Sequence, residues 1–168
     1  MLSAKILASV VATLTEVQDL GSASAPIGKT YRTVLTDGVA AGQADKIFHD
    51  TRTLAASATE DLDLAGVLSD PLGDVLTLAK IKGLIISAAA ANANDVIVGA
   101  AAGSPWLALL GAAGTVTLRP GATLAVFCGA ADAAGYAVVA GTGDLLKVAN
   151  SAGGTGVDYD VIIIGTSA

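Results

Sequence analysis

The sequence predicts an all-β fold, and three observations lead to this prediction. Several stretches alternate apolar and polar residues with a period of two, the pattern of a strand with one buried face. The apolar runs are rich in Val and Ile, whose branched side chains favour extended backbone. Turn-forming residues separate the runs, and no run has the length and period of a long helix. Together these features predict a β-sandwich of about ten short strands.

The first predicted element is a long strand or extended arm at the N-terminus. Residues 2–15 place apolar side chains at even positions, while Lys5, Ser9 and Thr13 fall at odd ones. A helix is the alternative for this segment, because Ala, Leu and Lys tolerate helical backbone well. Residues 21–28 (GSASAPIG) are rich in small and turn-forming residues, so we expect them to be a flexible linker.

The middle of the chain carries a series of shorter predicted strands. In one of them, Leu62 and Leu64 are expected to point inward and the neighbouring acids outward. Pro120 followed by Gly121 predicts a type II turn, because glycine supplies the positive φ that this turn needs. The predicted strands of this region are residues 30–36, 46–54, 59–64, 75–87, 96–98, 115–119, 123–128 and 138–139.

The C-terminal strand is the clearest element of the pattern. Residues 157–165 (VDYDVIIIG) begin with alternation and end apolar on both faces, which indicates a strand covered from both sides. Residues 144–150 (DLLKVAN) form a second strand pattern, and the glycine-rich loop between the two predicts a hairpin. We expect a single domain over residues 1–168, jelly-roll-like, with residues 1–28 as its arm and linker.

Composition and charge narrow the classes of function. The formal net charge is −6 and the nine basic residues are scattered, whereas nucleic-acid-binding proteins cluster Lys and Arg. Nucleic acid is therefore not an expected partner. The hydrophobic fraction is 53%, only 14% of residues are charged, and the mean hydropathy is +0.68. A monomer of this size would struggle to bury so much apolar surface, so we expect part of it to be covered in an assembly.

Sequence patterns for membranes and for secretion are weak. The most apolar region, residues 83–110, is interrupted by polar residues and Pro, whereas a membrane span needs ~20 apolar residues in a row. Glu16 and Asp19 interrupt the N-terminal segment that otherwise resembles a signal peptide, so we expect none. The single cysteine, Cys128, excludes an intrachain disulfide and fits a chain made in a reducing cytosol.

No pattern predicts an active site, a cofactor or a metal. His49 and Cys128 could form a nucleophilic pair, but Cys128 shares a face with apolar residues and is expected to pack as one. The acids in residues 60–63 lack the spacing of a calcium loop. Asp158 and Asp160 share a strand face, but a sugar cleft would need aromatic residues that are scarce here. We therefore expect a protein that is not an enzyme.

The candidate functional residues are interface residues. An extended N-terminal segment could add a strand to a neighbouring subunit through the apolar face of residues 1–14. The only tryptophan is expected to be a core or interface anchor. The predicted interface residues are Leu2, Ile6, Val10, Leu14 and Trp106.

Four stretches of the chain resemble a group of small virion proteins of tailed bacteriophages. They are distributed between residues 42 and 165 and together contain 49 of the 168 residues, and they are strand sequences rather than catalytic motifs. The N-terminal forty or so residues and the region of the tryptophan match this group less well. The stretches are residues 42–66 (GQADKIFHDTRTLAASATEDLDLAG), 80–86 (KIKGLII), 141–150 (GTGDLLKVAN) and 159–165 (YDVIIIG).

The resemblance implies a virion structural role. It points to a capsid decoration or cement protein with a jelly-roll-like fold, made in the cytoplasm of the host bacterium and located on the capsid surface. The implied partners are the major capsid protein, whose capsomers it would bridge, and the chain itself in a homodimer or homotrimer. The alternative is a tail or head-fibre protein that functions in host adsorption. A carbohydrate-active or lytic enzyme is the least favoured class.

Overall fold

The computed structural model describes all residues, 1–168, and shows an all-β sandwich. Two antiparallel sheets pack face to face, and a separate two-stranded hairpin projects from them. The only helix is a single turn, α1 (Leu107–Leu110), and no helix is long and apolar enough to span a membrane. The strands are β1 (Ala4–Gln18), β2 (Gly21–Leu35), β3 (Lys46–Leu54), β4 (Thr59–Asp63), β5 (Lys80–Ala88), β6 (Val96–Gly99), β7 (Thr115–Leu118), β8 (Thr123–Phe127), β9 (Tyr136–Ala137), β10 (Leu145–Asn150) and β11 (Val157–Thr166).

The chain crosses from one sheet of the sandwich to the other at most of its connections. The five-stranded sheet has the order β3-β11-β5-β8, with the short β9 beside β5. The four-stranded sheet has the order β4-β10-β6-β7. Buried side chains from the facing sides of both sheets form one core of 22 residues. Leu62, on β4, and Leu64, just after it, point into this core, as the alternation predicted.

The final strand is central, but the predicted hairpin with its predecessor is wrong. β11 lies between β3 and β5, which explains why its second half is apolar on both faces. β10 pairs instead with β4 and β6 in the other sheet. The glycine-rich loop therefore crosses between sheets. Asn150 fixes this crossing, since its Nδ2 donates to the carbonyl oxygens of Ala55 at 3.0 Å and Thr155 at 2.8 Å.

The N-terminal segment is a strand, as the period of two predicted, but the predicted linker is wrong. Residues 21–28 form the first half of β2, which pairs antiparallel with β1 over its whole length. The register runs from Ala4 opposite Leu35 to Gln18 opposite Gly21. Because β1 supplies a hydrogen-bonding partner, small residues that locally favour a loop are held in extended backbone.

Candidate interaction surface

The hairpin of β1 and β2, residues 4–35, is the candidate functional element and is called the arm below. Its base packs on the outer face of the five-stranded sheet through a small second core of Ile6, Leu35, Ala44 and Ile164. Ile6 is only 5% exposed and occupies the space that Gly83 leaves open on β5. A Cβ at Gly83 would lie 2.5 Å from Cδ1 of Ile6, so a side chain there would force the Ile6 side chain to move.

One hydrogen bond also fastens the base of the arm to the sandwich, and a second joins the ends of its two strands. The buried hydroxyl of Thr33 donates to the carbonyl oxygen of Cys128 at 2.9 Å. The backbone N–H of Leu2 donates to Oδ1 of Asp37 at 2.7 Å. The base is therefore held to the sandwich by apolar contacts together with the Thr33 hydrogen bond.

Beyond this base the arm has no partner within its own chain. Residues 9–32 are all exposed, and strands of fifteen residues extend about 50 Å at the usual rise per residue. Ten of the sixteen exposed large hydrophobic residues lie within residues 1–35, among them Leu14 at 76% and Val17 at 87% exposure. An isolated two-stranded hairpin is marginally stable in water, so we expect a binding partner to cover this surface.

The two faces of the arm differ in composition. The apolar face is the side to which Ile6 points, and it continues the face that already packs on the sandwich. The opposite face carries mostly Ser and Thr together with Leu7, Val11 and Val17. In the exposed part, Glu16, Lys29 and Tyr31 share the apolar face with its small and aliphatic residues, which are Val10, Ala12, Leu14, Ala23, Ala25 and Ile27, preceded by the half-buried Ala8.

Charge is distributed unevenly between the arm and the rest of the chain. Residues 1–35 contain three basic and two acidic residues, a formal charge of +1. The remaining residues contain six basic and thirteen acidic residues, a formal charge of −7. Lys5, Lys29 and Arg32 lie towards the base of the arm, whereas Glu16 and Asp19 lie at its tip. The exposed length between them carries no charge on β1.

The structure separates the five predicted interface residues. Val10 and Leu14 lie on the exposed part of the apolar face, at 55% and 76% exposure. Leu2 is half-buried beside the base of the arm, and Ile6 is buried against its own sandwich. Ile6 is therefore an internal anchor of the arm and is not available to another subunit.

Trp106 is a core residue, so its expected place at an interface needs correction. It is 4% exposed and belongs to the main core. Its Nε1 donates to the carbonyl oxygen of Ala137 at 2.8 Å, and its ring meets Tyr136 edge to face at 6.2 Å. A buried, hydrogen-bonded indole of this kind contributes packing within the chain.

The outer face of the five-stranded sheet carries a shallow groove of about 540 Å³ beside His49. Asp160 and Asp158 project from this face, as their spacing predicted. Each accepts a hydrogen bond of 2.6 Å, from the hydroxyls of Thr51 and Thr53 respectively. No group of three or more His, Cys, Asp or Glu side chains could hold a metal ion. These hydrogen bonds join neighbouring strands, so the two carboxylates have a structural role in the sheet.

His49 and Cys128 are not brought together. His49 lies on the edge strand β3, and Cys128 follows β8 and bonds through its N–H to Lys82 on β5. Three strand spacings separate the two residues, about 14 Å. Burial of Cys128, together with its contact with Asp132, raises the pKa of the thiol to about 11. The thiol is therefore protonated at neutral pH and is a poor nucleophile.

A partly buried polar network joins the two sheets, and the sequence pattern did not predict it. The phenol of Tyr159, 1% exposed, donates to Oε1 of Glu60 at 2.6 Å, and Nε of Arg52 donates to Oε2 of the same carboxylate at 2.7 Å. The hydrogen bond with Glu60 raises the pKa of Arg52, and burial raises that of Tyr159. Glu60 shares its strand face with Leu62, so this acid points inward and the expectation that it points outward is wrong. The alternation in β3 places Arg52 on the same inward face as Leu54, and this position could have indicated the network.

No family model, no curated protein and no solved structure matches this chain. The resemblance to virion proteins of tailed phages therefore stays an expectation from the sequence. The feature that any function must account for is the exposed arm.

Proposed function

We propose that this chain is a structural subunit that docks on a larger assembly through its arm. The assembly is the capsid of a tailed bacteriophage, on which the chain acts as a decoration or cement protein. The exposed arm is the observation that supports the docking role, because residues 9–32 are exposed to solvent throughout. The resemblance of four strand stretches to phage virion proteins supports the choice of assembly.

The apolar face of the arm supplies the attraction. Val10, Leu14 and Ile27 are 55%, 76% and 58% exposed, and covering a large aliphatic side chain contributes about 1.5–3 kcal/mol. Covering what remains exposed on these three side chains gives roughly 3–6 kcal/mol before the entropy of association is subtracted. An arm of about 50 Å can make its contacts well away from the body of the chain. Binding that occurs only on the assembled shell stabilises the shell by mass action.

The strand order supports the jelly-roll form of the proposal. Leaving β9 aside, the body has eight strands, and one sheet places them in the order first, last, third and sixth. The other sheet has the order second, seventh, fourth and fifth. A long double hairpin that wraps into a jelly roll gives this order, and the fold recurs in viral capsid proteins. A shared fold does not by itself establish a shared function, so the jelly-roll order only supplements the evidence from the exposed arm.

Co-sedimentation with capsid shells that lack this protein tests the proposal. We expect saturable binding of the full chain, at a copy number that is a multiple of the icosahedral symmetry. Leu14→Asp should weaken binding at least about tenfold, because it places a charge in an apolar contact. Leu72→Asp is the matched control, since Leu72 is 90% exposed in a loop of the body.

The outcomes separate the alternatives. If the full chain does not bind intact shells, the capsid role is refuted and a tail or head-fibre role in host adsorption becomes the better proposal. If Leu14→Asp and Leu72→Asp bind as well as the unmodified chain, the shell is bound by another surface and the arm is not the docking element.

A further inference from the structure

The arm has two outer edges, and their backbone groups can be assigned from the register. β1 pairs only with β2, so each strand presents one unpaired edge. The two-residue connection makes Gln18 and Gly21 a hydrogen-bonded pair, and such pairs alternate along an antiparallel ladder. Even-numbered residues of β1 therefore direct their N–H and C=O groups to β2. Odd-numbered residues of β1 direct theirs outward.

The β2 edge is interrupted and the β1 edge is open. Pro26 lies opposite Thr13, an outward-directed position, so the β2 edge lacks one donor there. The β1 edge keeps every outward N–H from Lys5 to Val17. No charged residue occupies an outward position between these two. Natural proteins commonly blunt exposed edges with proline or charge, and β1 has no proline and no charged residue between Lys5 and Glu16.

We infer that the β1 edge is an interface between two copies of this chain. β1 of one copy pairs antiparallel with β1 of the other, across a two-fold axis at Ala12, and the two arms form one four-stranded sheet. Sheets of three or more strands are stable where an isolated hairpin is marginal. The inference goes beyond the proposed function, because it holds whatever assembly the dimer joins.

Charge and size complementarity select the second copy as the occupant and Ala12 as the centre. With the axis at Ala12, Lys5 of one copy lies beside the turn of the other, which carries Asp19. Leu7 then faces Val17 of the second copy, and Val10 faces its Leu14, so that large apolar side chains meet. The other symmetric registers with the same hydrogen-bonding phase lose these pairs.

Moving the axis to Val11 places Lys5 opposite Val17 and Leu7 opposite Thr15. Moving it to Thr13 places Leu7 beside Asp19 in the turn of the second copy. Both shifts replace an apolar or charged match with a mismatch. An exposed ion pair contributes little free energy, about 0–1 kcal/mol, so its role is to fix the register. The apolar faces of both arms lie on one side of the joined sheet, since residues opposite each other across strands share a face.

Sedimentation equilibrium of the purified full chain, without shells, is the first test. We expect a dimer. Val11→Pro removes an outward N–H without touching the β1–β2 ladder, as Pro26 already does on β2, and should give a monomer. Val11→Ala keeps the N–H and should remain dimeric, so the pair distinguishes backbone pairing from side-chain contact. A monomeric unmodified chain, or a dimer that survives Val11→Pro, would overturn the inference.

A cysteine placed on the two-fold axis tests the register even if the proline variant fails to fold. Ala12 opposite Ala12 is a non-hydrogen-bonded pair with Cα atoms about 4.5 Å apart, within the range that a disulfide spans. Ala12→Cys should therefore form a disulfide-linked dimer under mild oxidation. Ala25→Cys, equally exposed but on β2, is the matched control and should not. The unmodified chain is the background, because Cys128 is buried. No cross-link at Ala12, or an equal one at Ala25, refutes this register.

Discussion

Ile6 anchors the arm to the sandwich, and replacing it with alanine should release the base of the arm. Ile6 is 5% exposed and packs in a small core that is separate from the main one. Truncating a buried isoleucine to alanine costs about 2–5 kcal/mol, as lost burial plus a cavity. Because the two cores are separate, we expect this loss to fall on the docking of the arm rather than on the sandwich.

Hydrogen exchange measured residue by residue is the assay. A loss of about 2–5 kcal/mol corresponds to exchange that is roughly thirty-fold to several thousand-fold faster, up to the limit set by complete undocking. We expect this acceleration in the amides near Ile6 and Leu35, at the base of the arm. Amides of β10 and β11, in the centres of the two sheets, should keep their exchange rates because they open only with the whole sandwich.

Ile27→Ala is the matched control, since it makes the same truncation on the same face of the arm at a position that is 58% exposed. It should leave exchange at the base of the arm nearly unchanged. Equal acceleration by Ile6→Ala and Ile27→Ala would show that Ile6 does not anchor the arm. Equal acceleration of β11 in Ile6→Ala would show that arm and sandwich unfold as one unit.

Three further predictions concern the sandwich. Tyr159→Phe should lower the free energy of unfolding in urea by about 1.5–3 kcal/mol, because it removes the hydrogen bond to the Glu60 carboxylate; a change within about 0.5 kcal/mol would contradict this. The pKa of the Cys128 thiol is raised from 9.0 to about 11, so the stabilisation that comes from this shift is complete below pH 9 and is lost as the pH rises towards 11. In urea unfolding across this pH range, the free energy of unfolding should fall less for Cys128→Ala than for the unmodified chain, and an equal fall would contradict the assignment. Gly165→Ala should lower the free energy of unfolding by about 1–3 kcal/mol, because its Cβ would clash with the carbonyl oxygen of Lys80; a thermal melting midpoint equal to that of the unmodified chain would refute this.

The sequence predicted elements well where the pattern was local. The even-position apolar residues of the N-terminal segment predicted β1, and the two-sided apolar run of residues 161–164 predicted a central strand. It failed where pairing is decided at long range. Residues 21–28 have the composition of a loop, and only β1 makes them a strand. A glycine-rich loop after β10 looks the same whether the chain returns within its sheet or crosses to the other.

The candidate interface was predictable only in part, for the same reason. Val10, Leu14 and Ile6 follow one alternating pattern, yet Ile6 is covered and the other two are exposed. The difference comes from Gly83 and Ile164, which receive Ile6 and lie far from it in the sequence. The network around Glu60 was missed because its phenol partner is 99 residues away, a distance at which periodicity carries no information.

The measurement that tests docking through the arm most directly is side-chain footprinting of the full chain, free and bound to capsid shells. Covalent labelling read by mass spectrometry reports the solvent exposure of individual side chains. We expect labelling of Leu14 and Ile27 to fall on binding, while Leu72 and Val67, exposed on the body, stay labelled as in the free chain. If the chain binds shells and Leu14 and Ile27 remain fully labelled, the arm does not dock and the central claim is contradicted.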